Sequence, residues 1–184
     1  HVPGAGGPAS GTVAVTGDGK RVYWLSAFDS MSVLGAVTNS TVATLKVTGS
    51  GSANALAIAP DGKHVYLAGT APGGAPSSLD AVFIVVDTSS QTVTATTRVT
   101  GGGNPRSIVV DPTGAHVYMG TRGSVTVIDT ASNAVTATVP LRPESNEPAL
   151  ALTPDGRSLY VANLGFGQIS VLNTATNTLG NPFA

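Results

Sequence analysis

The sequence predicts an all-β chain, a β-propeller with four four-stranded antiparallel blades, on three observations. One turn-and-strand phrase is written four times: GDGKRVYWL at Gly17 to Leu25, APDGKHVYLAG at Ala59 to Gly69, DPTGAHVYMG at Asp111 to Gly120 and TPDGRSLYVAN at Thr153 to Asn163. All the tyrosines, Tyr23, Tyr66, Tyr118 and Tyr160, hold one position of that phrase, spaced 43, 52 and 42 residues apart. A second phrase follows each: VVDTSSQ at Val85 to Gln91, VIDTASN at Val127 to Asn133, VLNTATN at Val171 to Asn177, and a worn VLGAVTN at Val33 to Asn39. Self-similarity at periods of about 20–50 residues marks solenoids, propellers or arrays. A parallel solenoid has shorter rungs and no repeated Asp-Gly hairpin, and a sandwich does not require the same turns at the same spacing.

Four strands fit each period. In the second copy strand A is Ala55 to Ala59, and Asp61-Gly62 turns the chain into strand B, His64 to Ala68. Strand C is Val82 to Asp87, Thr88 to Gln91 form the next turn, and strand D is Thr92 to Val99. Short β-branched runs between turn signals suit a small twisted antiparallel sheet, which is one propeller blade. The expected blades cover about residues 11–48, 53–100, 105–141 and 148–184 of one domain.

From Gly35, Asp87 or Asp129 to the next tyrosine the distance is 31 residues every time, while the gaps from each tyrosine to its own second phrase are 12, 21, 11 and 13. All the variation therefore falls in the B–C connection. In an antiparallel blade the A–B and C–D turns share one face and the B–C and D–A connections the other. Loops that vary without disturbing a scaffold carry function, so the B–C/D–A face is the expected binding face.

Composition narrows the partners. The chain is 41% hydrophobic and 10% charged, with net charge −1. Nucleic acid and anionic membranes call for basic surfaces, so neither is expected. With no cysteine, thiolate chemistry, disulfides and cysteine-held zinc are excluded. No apolar run approaches the roughly 18 residues of a membrane span.

The repeat resembles the YVTN family of β-propeller repeats: a PDG turn, a Tyr-Val-Thr-Asn strand, then an apolar strand ending in Asp-Thr. The fourth copy is closest, with Pro154-Asp155-Gly156, Tyr160-Val161-Ala162-Asn163 and Asn173-Thr174, whereas the first has Gly17 in place of proline. The resemblance implies an extracytoplasmic protein, secreted, periplasmic or on the cell surface. Related repeats occur in lactonases and quinoprotein dehydrogenase subunits, so it leaves an enzyme open.

Blades of this size close rings of six to eight. Val2-Pro3 stands 17 residues before Gly19, as Val139-Pro140 stands 17 before Gly156. The chain thus opens on the last residues of a D strand, and it ends where the fourth D strand starts, beside Pro182. The expectation is a piece of a longer propeller, the alternative being two copies paired in an eight-bladed ring.

Residues that follow the repeat report scaffold. Asp18, Asp61 and Asp155 belong to A–B turns, Asp87, Asp129 and Asn173 end C strands, and His64 and His116 are strand residues beside a hairpin. Trp24 and Phe28 read as blade packing, Asn39-Ser40-Thr41 is explained by its turn, and Gly101-Gly102-Gly103 is not followed by the Lys-Ser/Thr of a phosphate loop. Residues that break the repeat are the candidates for a ligand or partner site: Asn54, Asn104 and Arg106, then Glu144, Asn146 and Glu147, all assigned to D–A connections, and Pro72, Pro76 and Asp80 in the long B–C insertion, Thr70 to Asp80. An arginine near glutamates can orient a polar ligand or serve acid–base chemistry. No catalytic residue, metal or cofactor is assigned. The expected function is a non-catalytic binding scaffold for a protein or a small polar ligand. The alternative is an enzyme of lactonase or quinoprotein-dehydrogenase type.

Overall fold

The computed structural model describes residues 13–26, 29–47, 51–71, 80–141, 148–163 and 166–183. These form four sheets. The first holds β1 (Val13–Val15), β2 (Arg21–Ser26), β3 (Ser30–Gly35) and β4 (Ser40–Lys46). The second holds β5 (Ser52–Ile58), β6 (His64–Thr70), β7 (Ala81–Asp87) and β8 (Thr92–Val99). The third is β9 (Ser107–Val110), β10 (His116–Thr121), β11 (Ser124–Asp129) and β12 (Ala134–Pro140). The fourth is β13 (Ala149–Leu152), β14 (Ser158–Asn163), β15 (Gln168–Asn173) and β16 (Thr178–Leu179). Strands follow chain order within every sheet, each antiparallel to its neighbour. The four tyrosines occupy matching second strands, as the repeat predicts. Among the described residues no helix is long and apolar enough to cross a membrane.

Two details differ from the sequence reading. Strand A of the second blade starts at Ser52 rather than Ala55, because a bulge between Ala53 and Ala55 shifts the register by one residue, setting Asn54 aside while pairing continues to Ser52. The A–B connection is a wider turn than a two-residue hairpin. Gly62 donates its N–H to the Ala59 carbonyl at 2.8 Å, and its φ of +70° is the left-handed conformation that glycine enters without penalty. Gly19, Gly114 and Gly156 repeat both features.

Side chains finish these turns. Thr16 donates its hydroxyl to Asp18, and Thr153 to Asp155, both at 2.6 Å. The third copy exchanges the two residue types. There Asp111 accepts from the Thr113 hydroxyl at 2.7 Å, from the backbone N–H groups of Thr113, Ala115 and His116, and is joined to His116 Nδ1 at 3.0 Å. At the C–D turns Asp87 and Asp129 accept from serines, and Asn39, Gln91, Asn133 and Asn177 take φ near +50°.

These bonds predict a pH response. The carboxyls of Asp18 and Asp155 lie below the usual range, chiefly through the Thr16 and Thr153 hydroxyls. Asp87 and Asp129 are lowered first by Ser89 and Ser132. At Asp111 burial pushes upward, but Thr113, His116 and the backbone donors outweigh it. All five are depressed in the fold, so their stabilisation is complete above the unfolded carboxylate value of about 3.9 and is lost as pH falls through the lower folded values. The melting temperature is expected to hold between about pH 7 and 5 and to fall below about pH 4; a constant value down to about pH 2 would contradict this.

The core lies between blades. Tyr23, Leu25, Met31 and Val33 of the first pack on Val65, Leu67, Ile84 and Val86 of the second. Tyr66, Ala68, Phe83 and Val85 then meet Ile108, Val117, Met119 and Ile128. Tyr118, Val125 and Val127 meet Leu159, Val161 and Leu172. Strand alternation gives every blade two apolar faces, one for each neighbour. Tyr23, Tyr66 and Tyr118 are 1%, 4% and 2% exposed, but Tyr160, on the far face of the fourth blade, is 42% exposed beside Ile169 and Phe183.

Two further contacts recur at the second and third junctions. The Tyr66 hydroxyl faces the Thr130 side chain and that of Tyr118 faces Thr174, each the threonine of the next blade's C–D turn. That threonine also donates to its own A–B turn, Thr130 to the Gly114 carbonyl and Thr174 to that of Gly156, both at 2.7 Å. In addition, Pro60 touches the turn glycine Gly114, and Pro112 touches Gly156. The repeated Asp/Asn-Thr and Pro-x-Gly sequences are therefore parts of an interblade joint as well as turn formers.

Candidate functional site

The B–C/D–A face of the second and third blades gathers four of the candidates. Asn54, re-aimed by the bulge, donates from Nδ2 to the Asn104 side-chain oxygen. Thr70, at the end of β6, donates its hydroxyl to the same oxygen at 3.2 Å, and Ser52 donates to Asn54 Oδ1 at 2.9 Å. Two blades are thus joined by a neutral, half-buried amide–hydroxyl network. Such a network fixes the positions of its members because each satisfies another.

Asp80 closes the long insertion. Its carbonyl accepts from the Ala71 N–H at 2.8 Å, and its carboxylate accepts from the Gly101 N–H at 2.8 Å and pairs with Arg98 Nε at 3.3 Å. Asp80 therefore fastens the insertion to the end of β8. Arg106 stands exposed just before β9. Pro72 and Pro76, and likewise Glu144, Asn146 and Glu147, lie outside the described residues, as do Val2-Pro3 and Phe28.

Sequence reasoning missed Ser52 and Arg122, and it placed Thr70 only as the first residue of the long insertion. Ser52 stood before the expected strand A, and the bulge makes it a partner of Asn54, while Thr70 pairs with Asn104. Arg122 sits exposed in the short turn between β10 and β11, where its N–H donates to the Gly102 carbonyl at 2.9 Å. A Cβ built on Gly103, at φ +70°, would lie 2.7 Å from Arg122 Cβ. Gly102 and Gly103 thus receive that turn, and the visible signal was a basic residue at a point where the repeat has none.

A cleft of about 580 Å³ opens on the opposite face, between the A–B turns of the first two blades. Among the described residues no three His, Asp or Glu side chains converge as a metal site requires.

The sequence of these repeats matches a known family. A family model described as a lactonase, 7-bladed beta-propeller, matches residues 25–142, more than half of the chain. The chain belongs to this seven-bladed propeller family. Solved structures agree on the fold. Kuenenia stuttgartiensis hydrazine synthase superposes with a TM-score of 0.75 at 21% identity, over 88% of this chain and 51% of that one. The WD40 repeats of RRP9 superpose with a TM-score of 0.75 at 16% identity, over 95% of this chain and 51% of theirs. At such identities the likeness concerns the fold alone. The chain spans about half the length of these structures. A search of curated proteins gives no match. The family match contains Asn54, Asp80, Asn104, Arg106 and Arg122, so the loop-face network lies within the matched residues.

Proposed function

We propose that this chain is part of a seven-bladed propeller of YVTN type, working outside the cytoplasm as a binding scaffold for a partner with acidic or polar groups at the B–C/D–A face. The observation that carries this reading is the pair of exposed arginines on this face, Arg106, two residues after Asn104, and Arg122, whose N–H is bonded to the Gly102 carbonyl. Their guanidinium donors suit carboxylate recognition, and the network beneath them is neutral and mutually satisfied. Extracytoplasmic placement rests on the resemblance to YVTN proteins.

The rest of the ring is better supplied by further blades than by a second copy. Tyr160 presents its ring where Tyr66 and Tyr118 meet a threonine of the next blade, and the first blade has Ala36 at the position of Thr88, Thr130 and Thr174. A second copy would offer Tyr160 no hydroxyl there.

Family membership favours a second reading, lactone hydrolysis. That reaction needs a base to activate water and a donor for the carbonyl oxygen; of the two candidates Glu147 has the chemistry of the base and Arg106 that of the donor. One experiment separates the two readings. In the full-length protein, Arg106→Glu with Arg122→Glu is expected to lose capture of the native partner with an unchanged melting temperature, and γ- and δ-lactones are expected not to be hydrolysed. Lactone turnover that disappears in Arg106→Ala would replace the scaffold with an enzyme.

A further inference from the structure

The first copy alone has glycine, Gly17, where the others have Pro60, Pro112 and Pro154. The proline rings fill space at the following junctions: a Cβ built on Gly114 would lie 3.5 Å from Pro60 Cδ, and one on Gly156 only 2.8 Å from Pro112 Cδ. Between the first and second blades that ring is missing, and a Cβ built on Gly62 or on Gly17 meets nothing within 4 Å. The space left is the cleft of about 580 Å³.

Tyr23 lines this cleft. It is 1% exposed, and its buried hydroxyl has no hydrogen-bond partner in the protein. The equivalent Tyr66 and Tyr118 hydroxyls face the side chains of Thr130 and Thr174. Thr88 holds the same position at the first junction and donates to the Gly62 carbonyl as Thr130 and Thr174 donate to theirs, but it is not a hydrogen-bond partner of Tyr23; its own carbonyl accepts from Arg21 Nη1 at 3.1 Å. Buried donors rarely stay without an acceptor, and an anionic oxygen is the strongest acceptor for one.

The walls differ in charge. The first blade contributes Lys20, Arg21 and Asp18, and the second contributes Asp61. Lys20 and Asp18 pair at 3.8 Å, so Arg21 is the cation left over on one wall and Asp61 the anion on the other. A simple anion would meet the Asp61 wall, and a simple cation the Arg21 wall. A molecule carrying both charges meets each with its opposite.

We propose that the cleft between the first two blades binds a small zwitterion of amino-acid or dipeptide size, its carboxylate on the Tyr23 hydroxyl and Arg21 and its ammonium on Asp61. The site is independent of the loop face and of the function proposed for it. Gly17 is its determinant, because proline there would restore the Thr-Pro-Asp-Gly turn of the fourth copy and set a ring into the cleft beside Gly62, as Pro60 stands beside Gly114.

The test is an NMR-detected titration of the full-length protein with L-alanyl-L-alanine, beside the same dipeptide acetylated and amidated so that both charges are gone. Saturable shifts confined to the first junction are expected with the zwitterion and not with the capped form. Tyr23→Phe is expected to weaken binding about ten- to a hundredfold, the loss of one hydrogen bond to a charged group. Gly17→Pro is expected to abolish binding with a melting temperature at or above that of the parent, since proline fits this turn. Equal shifts from the capped dipeptide, no shifts at all, or undiminished binding by a folded Gly17→Pro protein would each overturn the proposal.

Discussion

Replacing Phe83 with alanine is expected to cost about 3–5 kcal/mol, the range for truncating a buried aromatic residue. Phe83 is fully buried at the centre of β7, in the cluster that joins the second blade to the third. Its ring stacks on Tyr66, with centroids 5.6 Å apart and planes inclined by 22°. Alanine would remove the ring, leave a cavity among Tyr66, Met119 and Ile128, and end an aromatic contact worth about 0.5–1.5 kcal/mol beyond its area. Domain stabilities are about 5–15 kcal/mol, so one substitution would remove a large part of the total. Denaturant unfolding of the full-length protein measures it. A loss below about 1 kcal/mol would mean that the second and third blades are not pressed together here.

The second large effect belongs to a glycine. Gly156→Ala is expected to destabilise far more than Gly19→Ala, although both glycines have nearly the same φ, +73° and +69°. Each substitution forces a side chain into the left-handed region, at about 1–2 kcal/mol. At Gly19 a new Cβ meets nothing within 4 Å, whereas at Gly156 it would lie 2.8 Å from Pro112 Cδ in the preceding blade. Overpacking a tight contact adds about 1–3 kcal/mol. Comparing the two variants cancels the turn strain and leaves the interblade contact. Equal losses would show that Pro112 yields without cost.

Much of this fold was legible in the sequence because its signals are local. A glycine that must take positive φ, an Asp that finishes the turn, and strands of alternating burial each speak within a few residues. Their fourfold repetition at a shared spacing removed the ambiguity that one copy would leave. What the sequence did not disclose are relations between copies. Thr88, Thr130 and Thr174 read as turn residues, yet two of them receive a tyrosine from the preceding blade. The swap of Thr and Asp between Thr153/Asp155 and Asp111/Thr113 leaves the turn intact, because either order supplies an acceptor to the same backbone.

The candidate site divides in the same way. Asn54, Asn104 and Asp80 were visible as departures from the repeat, and the structure joins Asn54 to Asn104 across two blades. The role of Thr70 was hidden because it depends on Asn104, outside the insertion that Thr70 begins. Gly17 was visible as a missing proline. Its consequence was not, since the ring it lacks would have touched a residue of the next blade, 45 positions along the chain at Gly62.

The central claim is that one joint is repeated from blade to blade and left open at the first junction. Double-mutant cycles on the full-length protein test it most directly, pairing Tyr118→Phe with Thr174→Ala and Tyr23→Phe with Thr88→Ala. The account predicts a coupling of about 1 kcal/mol for the first pair and none for the second, whose tyrosine hydroxyl has no partner. Equal coupling in both cycles, or coupling only in the second, would contradict it.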